Sequence, residues 1–211
     1  MTTKHQRIAN RFFALGWLRY RIIMSVKYTI CIFVLLLVSC KTSTHSDRYG
    51  GNVAIGNKFI DAFYSFNRDS LQRILASAKK SQPEILYYQK WAECANYKIV
   101  DRTHYFEKND SLVIFLITVK DDLMGALAID FNVTDTFHIS IHNGEIVSVK
   151  TSSNDIDVYY EAKEWVNKNR PELVGKACEG IWEGGPTPCE CVQGMIKGFS
   201  EFVEIKNGPG H

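Results

Sequence analysis

Asn143-Gly144 stands between two β-rich runs, residues 135–142 and 145–151, and constrains this chain more than any other pair of residues. A two-residue hairpin loop of type I′ requires positive φ at both central positions, which Asn followed by Gly tolerates better than other residues. The loop predicts a register with Ile141 opposite Ile146, Ser140 opposite Val147, Ile139 opposite Ser148 and His138 opposite Val149. Phe137, Ile139, Ile141 and Ile146 then share one face, an apolar patch that the rest of the chain has to cover.

Covering elements are legible on both sides. Ile55, Phe59, Phe63 and Phe66 form a helical stripe over residues 53–66. Asp69-Ser70-Leu71-Gln72 fits a capping box for a short second helix with Leu71, Ile74 and Leu75 inward. Ser81-Gln82-Pro83-Glu84 starts a third, carrying Leu86, Tyr87, Trp91 and Cys94 to about Ala95. Residues 97–106 are β-rich and Asn109-Asp110 marks a turn. The unbroken apolar run 112–119 predicts a central strand buried on both faces. Residues 121–130 read either as one helical turn capped by Asp-Asp or as a bulged edge strand. After the hairpin, Asn154 or Asp155 caps a helix with the stripe Val158, Ala162, Trp165 and Val166, stopped by Pro171.

Three helices, a curved antiparallel sheet and a closing helix make an α+β fold. The order of these elements, the aromatic first helix and the hairpin Thr134-Asp135-Thr136-Phe137-His138-Ile139 with Asn143-Gly144-Glu145-Ile146-Val147-Ser148-Val149 resemble the NTF2-like (SnoaL-like) superfamily. Trp165, Asn169-Arg170-Pro171-Glu172-Leu173 and Gly184-Gly185-Pro186-Thr187-Pro188 are similar to a bacterial branch of it. The resemblance covers residues 53–205. It implies an NTF2-like cone over residues 53–170, with the sheet packed on the N-terminal helices, and a helical extension over 171–205. Residues 206–211 read as a disordered tail.

The front of the chain reads as an address. The 45% apolar share is ordinary for a globular protein, and the net charge is only +2, from 25 Lys+Arg against 23 Asp+Glu. The basic excess precedes an eleven-residue apolar run, residues 28–38, so no basic patch argues for nucleic acid. That run is too short to span ~30 Å of hydrocarbon but suits a signal peptide within residues 1–39, with Met24 the expected translation start unless residues 1–23 belong to an unusually long leader. Leu37-Val38-Ser39-Cys40 resembles a bacterial lipobox, which makes Cys40 the acylated mature N-terminus and residues 40–52 a flexible tether. Several acyl chains are needed because one holds a protein only marginally at a membrane. Lys41 at the next position favours onward sorting to a Gram-negative outer membrane. The alternatives are an uncleaved signal anchor and an N-terminal core helix.

Four cysteines remain in the exported domain: Cys94, Cys178, Cys189 and Cys191. An even count in an exported protein permits disulfides. A Cys178–Cys189 bridge would pin the Gly/Pro-rich loop between them by about 2–3 kcal/mol, with Cys191 a competitor and Cys94 paired to Cys191 or left over. Thr187-Pro188-Cys189-Glu190 is a capping box for a last helix striped by Val192, Met195, Ile196, Phe199 and Val203. A reactive Cys189 thiol in that first turn is opposed by Glu190 and has no basic neighbour in sequence. C-x-C with one distant cysteine lacks the paired spacing of a structural zinc site.

His138 and His142 share a strand face but lie about 13 Å apart at ~3.3 Å per residue, too far for one metal ion. The resemblance implies a pocket between sheet and helices. Asp61, Tyr64, Tyr87, Asp101, His104 and His138 are the residue types that could work in it as base or hydrogen-bond donor. No nucleophile elbow, phosphate loop, zinc-protease motif or dinucleotide fingerprint appears, so no residue is assigned to catalysis, a cofactor or a metal. The expectation is an envelope lipoprotein that binds a small apolar ligand or a protein partner, with self-association through the sheet as a further option. Alternatives are a pocket enzyme of the isomerase or hydro-lyase type and a subunit of an envelope assembly.

Overall fold

The positive-φ turn forms as its chemistry requires: Asn143 has φ 50° and Gly144 φ 81°. They join β3 (Val133–His142) to β4 (Glu145–Ser153) in a computed structural model that describes residues 45–106, 111–179 and 189–208. The leader, Cys40, the Asn109-Asp110 turn and the Thr187-Pro188 part of the last capping box lie outside the described residues. Among the described residues no helix is long and apolar enough to cross a membrane.

With β1 (Lys98–Phe106) and β2 (Leu112–Lys120), the hairpin builds an open, four-stranded antiparallel sheet in the order β1-β2-β3-β4. Ile141 does pair with Ile146, but the register shifts at the next step. Ser140 pairs with Ser148, Ile139 with Val149 and His138 with Lys150, which corrects the expected unbroken ladder. The reason is burial parity. Without the shift, Ser148 and Lys150 would follow Ile146 onto the covered face; with it, Val149 is buried and Lys150 is exposed.

α1 (His45–Tyr64) lies against the covered face through Phe59 and Phe63, whose rings meet Phe137 at 5.6 and 5.1 Å. It begins within the stretch expected to be a tether, so residues 45–52 are helical and Asn52 is buried. At Gly56 a Cβ would stand 2.3 Å from the Phe115 ring, so only glycine allows the helix this close to β2. α2 (Arg68–Ile74) is capped by Asn67, which accepts from the Ser70 N–H at 2.9 Å; the start expected at Asp69 is two residues late. α3 (Gln82–Cys94) follows Ser81, whose hydroxyl does not cap the helix but accepts from the Val149 N–H on β4 at 3.1 Å. Buried Gln89 on α3 donates to the Ala62 and Phe63 carbonyls, tying the end of α1 to α3.

β2 is not buried on both faces. Val113, Phe115, Ile117 and Val119 are buried against the helices, while Leu112, Leu116 and Thr118 on the other face are half-buried. Ile114 is the exception, shielded by its cross-strand neighbours Tyr105 and His138. Asp121 resolves the ambiguous segment: it caps the single turn α4 (Asp122–Ala126). α5 (Asp157–Asn169) has Ile156 at its cap position, because Asn154 instead accepts from the Thr134 N–H and Asp155 from the Ser153 hydroxyl. α6 (Pro171–Val174) and α7 (Cys189–Lys206) complete the chain. α7 buries Val192, Met195 and Phe199 and packs against α3, α4, α5 and α6, with Gly198 admitting Val166.

The cysteine pairing differs from the expected one. Cys94 is bonded to Cys189 and Cys178 to Cys191, so there is no Cys178–Cys189 bridge. Cys189 and Cys191, two residues apart on a helix of ~3.6 residues per turn, face nearly opposite sides, so they reach different partners. Docking α7 beside α3, where Gln193 also donates to the Cys94 carbonyl at 3.1 Å, brings Cys94 to Cys189.

Candidate functional site

The carboxylate of Asp135 interrupts an otherwise apolar row on β3, between Val133 and Phe137, and is fully buried. Such a group has to be hydrogen-bonded. The Tyr64 hydroxyl on α1 donates to its Oδ2 at 2.8 Å and the Tyr88 hydroxyl on α3 donates to its Oδ1 at 2.5 Å. Burial pushes the carboxyl up to about 6, with the two tyrosine hydrogen bonds pulling the other way. Burial first, then the Asp135 charge, also holds the Tyr64 phenol far above its ordinary range; Tyr88 is shifted upward too, mainly by burial. Both phenols therefore stay protonated donors.

Beyond Tyr88 a cavity of about 510 Å³ opens between α3, α4, the ends of β3 and β4, and α5. Tyr87, Tyr88 and Trp91 of α3, with Tyr97 and Tyr159, supply its aromatic lining. Asp121 and Asp155 supply carboxylates, Glu84 and Lys80 lie at exposed positions, and residues 151–153 bring hydroxyls. The volume falls within the ~300–1,000 Å³ of small-molecule sites.

Asp121 is the most unusual of these residues. Its Oδ1 accepts from the Leu123 and Met124 N–H groups at 2.8 and 3.0 Å, which is the cap that starts α4. Its Oδ2 is buried and has no hydrogen-bond partner among the described residues. The residue is only 4% exposed, and burial raises its carboxyl to about 6 against the opposing pull of the two backbone donors.

The residues expected to form a pocket are distributed over three places. Tyr87 lines the cavity, and Tyr64 reaches it only through Asp135 and Tyr88. Asp61 is an exposed partner of Arg102, at 2.6 Å, in a clamp where Arg102 also donates to Asn57 and lies over Phe115. His104 belongs beside that clamp, its ring 5.4 Å from Phe115, and Asp101 is exposed on β1. His138 lies on the sheet face opposite Phe137, so it is not a pocket residue. His142 and Glu145 pair across the hairpin tip, where Glu145 accepts from the Ser77 hydroxyl at 2.7 Å. Among the described residues no group of three or more His, Cys, Asp or Glu is placed to hold a metal ion.

Sequence reasoning missed Asp135, Tyr88, Tyr97, Asp121, Asp155 and Tyr159 as site residues. Asp135 did carry a signal, an acid at the buried parity of an apolar strand; Asp121 showed only its capping role. Comparison with protein-family models, with curated proteins and with solved structures gives no match for this chain.

Proposed function

We propose that this protein is a lipoprotein of the bacterial cell envelope with an NTF2-like cone, anchored through acylated Cys40 and binding a small ligand in the cavity beside Asp135. The carrying observation is the cavity itself: about 510 Å³, walled by aromatic rings and supplied with carboxylates and hydroxyls. The element order and the hairpin support the cone, and the apolar run ending at Cys40 supports the anchor and a place at the periplasmic face of the outer membrane. The test is native mass spectrometry of the full chain purified from its own host in non-ionic detergent. A co-purifying small molecule that is lost in Ser152→Trp, which fills the cavity, is the expected result. Wild type and Ser152→Trp of identical composition would overturn the reading. The anchor is tested separately, since Cys40→Ala should leave the membrane fraction.

One observation favours a second reading as an isomerase or hydro-lyase. Asp121 lines the cavity with its carboxyl raised to about 6, in the range where a general base works at neutral pH. Turnover of the co-purified molecule by wild type and not by Asp121→Asn would establish it.

A further inference from the structure

We propose that the ligand of this cavity is an organic cation, an amine or quaternary ammonium whose charge faces Asp121 and Asp155 and whose carbon lies against the aromatic walls. The inference rests on the cavity being a ligand site, and it adds the chemical class.

The first support is the balance of charge. Asp121, Asp155 and Glu84 line the cavity against a single base, Lys80, which is exposed. Fully buried Asp135 adds a further acid directly behind Tyr88. An anion would meet these carboxylates without an arginine to receive it, since none lines the cavity.

The second support is the unpaired oxygen. A buried acceptor without a donor costs about 1–3 kcal/mol, and more when it carries charge. Asp121 Oδ2 is such an acceptor, and its Oδ1 is already committed to two backbone N–H groups that cannot turn toward it. A positive charge held in the cavity that Asp121 lines lowers that cost through its field, which a neutral or hydrocarbon ligand does not.

The walls are the third. Tyr and Trp rings attract cations through their electron-rich faces, and five of them line this one space. That combination of carboxylates with rings suits a cation carrying carbon, whereas a hydrated metal ion would want further oxygen or nitrogen ligands that the aromatic walls do not offer.

The experiment is isothermal titration of the full chain in non-ionic detergent at pH 8. The probes are phenethylamine, its N,N,N-trimethyl derivative, neutral 2-phenylethanol and anionic 3-phenylpropionate. Both cations should bind at least tenfold more tightly than the alcohol, the anion should not bind, and raising salt should weaken only the cations. Asp121→Asn, which keeps an N-cap acceptor, should lose about tenfold for the cations and leave the alcohol unchanged. Asp155→Asn, which keeps an acceptor for the Ser153 hydroxyl, should lose less. Equal binding of amine and alcohol overturns the cation inference while leaving a ligand site. Preference for the anion, or displacement of the amine by millimolar Mg²⁺ or Ca²⁺, overturns it too. No binding of any probe removes both the inference and the ligand-site reading. The comparison among probes on wild type stands even if a variant fails to fold.

Discussion

The two ends of the space between sheet and helices are filled in opposite ways. At one end Phe59, Phe63, Phe115 and Phe137 close on each other, fully buried, with Gly56 letting α1 approach β2. At the other, Tyr87, Tyr88, Trp91, Tyr97 and Tyr159 surround about 510 Å³ of open volume. Both ends are aromatic, so ring size does not explain the difference. Phenylalanine has no polar atom and can collapse to crystal-like density. Tyrosine hydroxyls and the carboxylates of Asp121 and Asp155 cannot be pressed together to that density without the cost of desolvating polar groups. Asp135 marks the border, where Tyr64 from the closed end and Tyr88 from the open end donate to the same carboxylate.

The comparison can be broken most strongly at the wall of the open end. Cys94, at the end of the helix that carries Tyr87, Tyr88 and Trp91, is bonded to Cys189 across 95 residues of chain. Replacing both cysteines by serine should cost about 4–5 kcal/mol in the chain-entropy picture, read as a lower midpoint in urea. A ligand-free melt unchanged from wild type would refute the importance of this bridge. At the closed end, Phe137→Ala should cost about 3–5 kcal/mol, because four rings lose a shared neighbour. A cavity-side Tyr159→Ala, tested in the same urea series, should cost less, because that ring borders open volume. If the two cost the same, the ends are not packed differently.

The border makes a pH-dependent prediction. Asp121 and Asp135 have carboxyls raised from 3.8 to about 6, so between these values the folded protein holds protons that the unfolded chain has released. The stability contributed by these two groups is therefore full below about 3.8 and is lost as pH rises through 6, by up to about 3 kcal/mol each. Asp121→Asn and Asp135→Asn should each flatten the slope of stability between pH 4 and 6.5 in urea titrations; an unaltered slope in both would refute the assignment. Tyr64→Phe acts on the same carboxylate more locally, removing one of two donors to Asp135. It should cost about 1–3 kcal/mol at pH 7, where the carboxylate is charged, and less at pH 4.5.

Local chemistry was legible where it acts over a few residues. Asn143-Gly144, the Phe59 and Phe63 stripe and the Val192–Phe199 stripe all do in the structure what their spacing implies, and Asp121 takes the capping role that was one of two readings of its segment. Ser81 does precede its helix as expected, though without a side-chain cap bond, whereas Asp69 and Asn154 or Asp155 do not hold the cap positions, because several hydroxyl and carboxylate residues stand close together. Tertiary partners then took Ser81 to β4 and Asn154 to β3. Of the expected pocket residues, Tyr87 reached the cavity, while Asp61, His104 and His138 were assigned by residue type without knowledge of the face they occupy.

The sequence by itself determined the α+β class, the hairpin and its inward row, because turn geometry and two-residue alternation are local. Only the tertiary structure decided the shift beyond Ile141, the partners of the four cysteines and the enclosure of Asp135 and Asp121. Each of these depends on which distant side chain competes for the same buried space. Cys189 and Cys191 are equal candidates until α7 docks, and Asp135 is an ordinary strand acid until Tyr64 and Tyr88 arrive from two different helices.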